Sequence, residues 1–250
     1  MKNRLAVGVI CKDNISELKR TLLSILSQIE NDFELVIVDG SKIPLVQKSS
    51  FIKNIINQIN DKEILVNYVI QESNGISNAF NCAFENASSN YIIYLNSGDE
   101  FFSSETLRKL IPYLMDRKKM YCFSTLFYNP FNFSIKLQRP SKKSFDIYQK
   151  NPFPHSGVII EIQTLKNIGG FNEELNQCMD YELFNRMILK NKIKPKIINL
   201  IVSIFYGGGI SSNLPSLRVG MIKAWQIHKK EDYFPNIILR LFFHLKEYFY

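Results

Sequence analysis

The sequence predicts an α/β protein in which a mostly parallel sheet is flanked by helices. Three observations carry this. In the first half of the chain, short apolar runs alternate with segments whose apolar residues recur at helical spacing. The runs are rich in β-branched residues and read as buried strands. Two of them break off in turns that carry carboxylates, Asp39-Gly40 and Asn96-Ser97-Gly98-Asp99. Parallel sheets bind ligands at such strand ends, so the two turns are expected to share a crevice.

In order, Leu5–Cys11 is the first strand, and Ser16–Gln28 is a helix with Leu18, Leu22, Ile25 and Leu26 on one face. Phe33–Val38 is the second strand, Lys48–Ile59 a helix and Ile64–Ile70 the third strand. Ile76–Glu85 is a helix with Ile76, Ala79, Phe80, Ala83 and Phe84 aligned, and Tyr91–Leu95 is the fourth strand. The second half is less regular. Leu107–Met115 reads as helix, and Met120–Tyr128 and Phe133–Leu137 as strands. A further strand follows "FPHSGVIIE", and "GGFNEEL" reads as a turn. Met179–Lys190 is helical, a strand lies near Ile197–Phe205, and "YGGGISSN" is a glycine turn. No repeat or low-complexity linker divides the chain, which reads as one domain over residues 1–212 with a helical tail over 213–250.

With 46% hydrophobic residues the chain is globular, and no apolar run reaches the roughly 18 residues of a membrane span. The N-terminal "MKNRLAVGVICKDN" lacks a cleavage pattern and runs into Lys12 and Asp13, so a cytoplasmic location is expected, with access to the inner face of the cell membrane. The four cysteines are scattered without a CxxC pair, which predicts free thiols and no zinc site. The net charge of +8 is dispersed and no nucleic-acid-binding motif accompanies it, so phosphate-bearing substrates or anionic lipid are the expected partners and nucleic acid is not.

Several residues could carry chemistry. Asp99 sits on what reads as an exposed turn, where it either caps the next element or helps hold a divalent cation bridging phosphates, with Glu100 beside it. Asp39 and Gly40 form either an ordinary strand-end turn or a contact to a nucleobase or ribose. Asp180 heads the apolar stripe Leu183, Phe184, Met187 and Ile188, so it faces inward. It either stabilises the helix N-terminus or acts as a general base. Glu182 and Arg186, four apart, read as a surface ion pair. His155 is a lone histidine held between Pro154 and the strand. Asn78 and Asn81 lie on the polar side of the helix after Gly75, whose N-terminus could approach a diphosphate. The glycines at 207–209 lack the Lys-Ser/Thr of a P-loop.

Taken in order, "IVDG", "ESNGISNAFNCAFENA", "YLNSGDEFF", "PFPHSGVII", "GGFNEEL", "MDYELFNRM" and "YGGGISSN" resemble glycosyltransferase family 2, in particular glycosyltransferases of colanic-acid-type polysaccharide biosynthesis. The resemblance runs to about Asn213. It implies a GT-A fold, with a nucleotide-sugar-binding half over about 1–103 and an acceptor-binding half over about 104–212. It also implies an inverting transfer of sugar from a nucleotide-diphosphate sugar to a saccharide acceptor, expected to be a lipid-linked oligosaccharide in bacterial surface-polysaccharide assembly. By position it makes Asp39 the base-binding aspartate and Asp99 the acid of the metal motif, holding Mn²⁺ or Mg²⁺. Asp180 becomes the catalytic base, His155 a residue near diphosphate or acceptor, and Gly40, Asn78, Asn81 and Asn96 donor-site residues. Asn96-Ser97-Gly98-Asp99 stands where the family often has two or three acids.

Two other readings remain open at this point. A sugar-phosphate nucleotidyltransferase would share the sheet, but such enzymes open with a Gly-rich, Arg-containing loop that "VICKDN" lacks. A non-catalytic nucleotide-sugar-binding module would fit the reduced acid motif. The apolar face of "NIILRLFFHLKEYFY" near the C-terminus reads either as packed helix or as a contact to an anionic membrane surface.

Overall fold

The computed structural model describes residues 4–72, 74–142, 151–208 and 214–230. Among the described residues nine strands form one sheet, in the order Leu65–Ile70, Phe33–Asp39, Leu5–Cys11, Tyr91–Asn96, Val158–Glu161, Met120–Asn129, Lys196–Tyr206 and Glu100–Phe101, with Ser134–Gln138 on Met120–Asn129. The first four are β1 (Leu5–Cys11), β2 (Phe33–Asp39), β3 (Leu65–Ile70) and β4 (Tyr91–Asn96). They are mutually parallel, and their connections carry α1 (Ile15–Leu26), α2 (Leu45–Lys48), α3 (Ser50–Asn60) and α4 (Ile76–Glu85). The mixed half adds β5 (Glu100–Phe101), β6 (Met120–Asn129), β7 (Ser134–Gln138), β8 (Val158–Glu161) and β9 (Lys196–Tyr206). Both β4–β8 and β8–β6 are antiparallel, so the two halves of the chain share one continuous sheet.

The two-residue side-chain period of the strands separates two cores. Leu5, Val7 and Val9 of β1 point to the same side as Leu35 and Ile37 of β2 and Ile93 and Leu95 of β4. There they meet Leu18, Leu22 and Ile25 of α1 and Ile52, Ile55 and Ile59 of α3. Ala6, Val36, Val38, Ile92 and Tyr94 point the other way, onto Ala79, Phe80, Ala83 and Phe84 of α4. Burial on both faces is why these strands read as unbroken apolar runs. α1 is started by Asn14, whose side chain accepts the Glu17 N–H at 3.1 Å.

In the second half the helices are short. α5 (Thr106–Leu110) passes into a 3₁₀ turn over Ile111–Asp116. α6 (Ile162–Ile168), which the sequence reading missed, fills the span before the glycine pair and is closed by Gly169 at φ +82°. α7 (Met179–Asn185) continues into a π-turn at Arg186–Lys190. α8 (Leu214–Lys230) packs on α7: Trp225 Nε1 donates to Tyr181 Oη at 3.1 Å, and Ala224 and His228 are fully buried. All four cysteines are free thiols. Among the described residues no helix is long and apolar enough to cross a membrane. The apolar stretch 236–250 lies outside the described residues, as do glycine-turn residues 209–213.

The expectation of a surface ion pair between Glu182 and Arg186 is overturned. Glu182 is buried, and Arg186 donates to both of its carboxylate oxygens at 2.8 and 2.9 Å. The same guanidinium also donates to the carbonyls of Ile168 and Gly170. The pair ties α7 to the end of α6, and α8 covers it, with His228 Nε2 4.0 Å from Glu182. Spacing four apart predicted the pair but could not predict what covers it.

Candidate active site

A cleft of about 1450 Å³ opens at the carboxyl ends of β1 and β4. Its walls include Lys12 after β1, Asn96–Asp99 after β4, Gly75 and Ile76 at the start of α4, Tyr206 of β9 and Lys223 of α8. A second chamber of about 530 Å³ holds His155 and Asp180. Ile76, Asn96, Asp99, Asn176, Gln177 and Phe205 line both, so the two are one continuous groove. Of the residues singled out from the sequence, the groove brings together Asn96, Asp99, His155 and Asp180.

Asp99 is not the exposed turn residue the sequence suggested: it is only 3% accessible. β5 follows it directly and pairs with β9, bringing the Tyr206 N–H to 3.2 Å from Asp99 Oδ1. Thr21 of α1 donates to the Asp99 carbonyl at 2.8 Å and accepts the Gly98 N–H at 2.9 Å. Gly98 itself needs φ +103°, a conformation costly for other residues. Asp99 Oδ2 is buried without a hydrogen-bond partner, as are Asn96 Oδ1 and Ser97 Oγ. Burial pushes the Asp99 carboxyl up to about 8, opposed by the N–H groups of Tyr206 and Asn96 and reinforced by the charge of Glu17.

These unpartnered oxygens fit a divalent cation shared with phosphate oxygens and water, a coordination in which one carboxylate suffices. They do not make an all-protein cage, since no group of three or more His, Cys, Asp or Glu side chains converges among the described residues.

Asp180 lies in the first turn of α7, with a side chain 20% accessible. Asn151 Nδ2 donates to its Oδ2 at 2.6 Å, and the Tyr181 N–H to its Oδ1 at 2.8 Å. His155 Nδ1 stands 3.9 Å from Oδ2. The imidazole is boxed by Phe80, Tyr94 and Phe171, at centroid distances of 4.9, 5.8 and 6.5 Å, and neither nitrogen has a hydrogen-bond partner. Burial lowers its pKa, partly offset by the Asp180 charge, which keeps the ring neutral near pH 7.

Other expected residues face their own chain. Asp39 is fully buried: Oδ1 accepts Ser41 N–H at 2.9 Å, and Oδ2 accepts Leu45 N–H at 2.6 Å and Tyr68 Oη–H at 2.5 Å. It shapes the loop after β2. A Cβ on Gly40 would meet Gln71 Oε1, the end of a flexible side chain, at 2.6 Å. Asn78 and Asn81 reach Glu173, and Asn81 also bridges both backbone groups of Phe171. Together they hold α4 to the segment before α7. None of these four lines the groove.

Lys12 and Lys223 were missed by sequence reasoning. Both line the main chamber, and neither has an acidic partner among the described residues. Arg20, also on the wall, is 3.8 Å from Glu100 and lies over the Tyr206 ring at 4.4 Å. The position of Lys12 at a strand's carboxyl end was a usable signal. Nothing local marks Lys223, which enters because Gly220 lets α8 close onto Gln177 and Cys178; a Cβ there would sit 3.0 Å from Gln177 Cβ.

Comparison with known proteins identifies the architecture. Residues 1–349 of S. aureus TarS in complex with UDP-GlcNAc match with a TM-score of 0.63 at 18% identity, over 82% of this chain and 59% of that one. The mannosyltransferase PcManGT from Pyrobaculum calidifontis, in complex with GDP-Man and Mn²⁺, matches with a TM-score of 0.63 at 12% identity, over 92% and 65%. At such identities the likeness is one of fold, and it is GT-A-like. The chain spans about three fifths of the length of these structures. No curated protein matches the chain significantly. The family model of Glycosyl transferase family 2 matches residues 6–190, from β1 through α7, and the chain belongs to that family.

Proposed function

We propose that the chain is an inverting glycosyltransferase that moves a sugar from a nucleotide-diphosphate sugar to a saccharide acceptor. The observation that carries this reading is one groove, at strand carboxyl ends, with the Asp99 carboxylate in its wall, one oxygen unpartnered, and Asp180 farther along it. Support for the donor class comes from the family and from the sugar nucleotides, UDP-GlcNAc and GDP-Man, bound by two structures of the same fold.

In this reading the diphosphate lies in the main chamber, where Lys12 and Lys223 offer cations that have no acidic partner among the described residues. Asp99, with Asn96 beside it, would hold Mn²⁺ or Mg²⁺ shared with the diphosphate, which supplies positive charge to the leaving group. Asp180 takes the proton from an acceptor hydroxyl. That oxygen bonds to the anomeric carbon from the face opposite the departing diphosphate, and the carbon–oxygen bond to phosphate breaks. Asn151 and the Tyr181 N–H fix the Asp180 rotamer. The leaving diphosphate needs charge stabilisation more than protonation, so one base suffices. Asp39 and Gly40 act at one remove, by shaping the loop after β2.

The acceptor we propose is a lipid-linked oligosaccharide of surface-polysaccharide assembly, a reading that rests on the motif resemblance. Nucleotide-diphosphate release tests the activity: UDP-, GDP- and TDP-sugars are screened by thermal shift, and the stabilising donors are then assayed with Mn²⁺ and saccharide acceptors. Donor-dependent release supports the reading. Stabilisation by donor without release under any acceptor points to a binding module instead.

A further inference from the structure

We propose that the tip of the β6–β7 hairpin docks in the interface of an anionic bilayer. Phe131 and Phe133 in the turn and Ile135 at the start of β7 are 81%, 76% and 66% accessible. Grouped exposed aromatics of this kind mark interaction surfaces, whereas single exposed apolar residues do not. Phe133 also stands at φ +55°, a conformation that suits Asn or Gly and strains a bulky side chain. With three quarters of its surface exposed, Phe133 gains little packing in the folded chain to offset that strain.

The tip is rigid. Asn129 Oδ1 accepts the Phe131 N–H at 2.9 Å, and Asn132 Oδ1 accepts the Ser134 N–H at 3.1 Å. At its base Phe127 stacks on Phe205 and Tyr128 packs on Tyr206, with centroids 5.7 and 5.3 Å apart. A turn already held by such bonds has less conformational freedom to lose on insertion than an unbonded one.

Charge selects the partner. No acidic residue occurs between Arg117 and Phe145, and Lys136, Arg139 and Lys142 are exposed with no acidic partner among the described residues. A second copy of the chain would set this basic flank against itself across a two-fold contact, whereas anionic headgroups complement it. Apolar rings at the tip and cations behind them match the layering of a bilayer interface. Because Tyr128, Pro130 and Ile135 line the main chamber, docking here would bring the mouth of the groove to the surface that carries the acceptor.

The purpose of the contact rests on the proposed membrane-borne acceptor. The contact itself is measured without donor or acceptor, so either proposal can fail alone. Full-length wild type and F131S/F133N are sedimented with phosphatidylcholine vesicles and with an equimolar phosphatidylcholine–phosphatidylglycerol mixture. Wild type is expected to bind the anionic mixture more tightly, and the double variant about ten-fold or more weakly than wild type. The variant should melt no lower, because Asn relieves the strain at 133. K136Q/R139Q should lower binding to the anionic mixture alone. Since the segment 231–250 is present in every protein compared, a difference reports on the hairpin. The proposal is overturned if F131S/F133N binds like wild type. It is equally overturned if the variant loses only self-association in the absence of vesicles.

Discussion

Replacing Asp99 by Asn tests the most unusual group in the groove. The wild-type carboxyl is buried, with one oxygen unpartnered, and its pKa is raised by that burial from the ordinary 3.8 to about 8. Between those values the native state keeps a proton that the unfolded chain has released. Stability therefore falls as pH rises through this window, is at its full value below about 4 and levels off above about 8. At about 1.4 kcal/mol for each pH unit of that interval, the loss is on the order of 5 kcal/mol. For a chain of this size that corresponds to a melting temperature lower by on the order of 10 °C. Asn keeps the acceptor for the Tyr206 N–H but never ionises. In chelator-treated protein, then, the two melting curves should lie close together at about pH 4, and the variant should melt distinctly higher at about pH 9. Mn²⁺ with nucleoside diphosphate should raise the melting temperature of wild type at neutral pH and leave Asp99→Asn where it was. Calorimetric melts across pH, with and without Mn²⁺, measure both. Parallel pH profiles for the two proteins would refute the assigned burial, and equal Mn²⁺ responses would remove Asp99 from the metal site.

Two further outcomes follow from the geometry. Arg186→Met strands the buried Glu182 and two backbone carbonyls, and should destabilise by about 3–5 kcal/mol, read by chemical unfolding. A loss under 1 kcal/mol would mean that α7 is held otherwise. Lys223→Ala should weaken donor binding about ten-fold, with Lys223→Arg restoring most of it, if the ammonium meets the diphosphate. Unchanged donor affinity by titration would place the diphosphate away from α8.

The parallel half of the fold was legible because its information is local. β1 runs from Leu5 to Cys11 and α4 from Ile76 to Glu85, as their apolar patterns predict, since both faces of the strands and one face of each helix are buried. α6 was not, being two turns long with its stop signal, Gly169, shared with an ordinary turn sequence. At the site, the turn after β4 and the inward-facing Asp180 could be read from spacing, whereas the turn after β2, expected to share the crevice, does not line the groove. The depth of Asp99 could not: Thr21 and Tyr206, which enclose it, lie 78 and 107 residues away along the chain. Asp39 and Asn81 show the converse, polar residues near a groove whose bonds go to the chain itself. Only the paired strands and packed helices distinguish the two cases.

Turnover of Asp180→Asn, measured together with donor affinity and melting temperature, tests the account at its centre. The substitution preserves size and leaves an oxygen for the Tyr181 N–H, but it cannot accept a proton. General-base catalysis is worth about 10²–10⁴-fold, so nucleotide-diphosphate release should fall by about that factor while donor affinity stays at the wild-type value. A variant that melts lower by the equivalent of a lost helix cap, roughly 0.5–2 kcal/mol, yet turns over like wild type would contradict the account and leave Asp180 a structural residue.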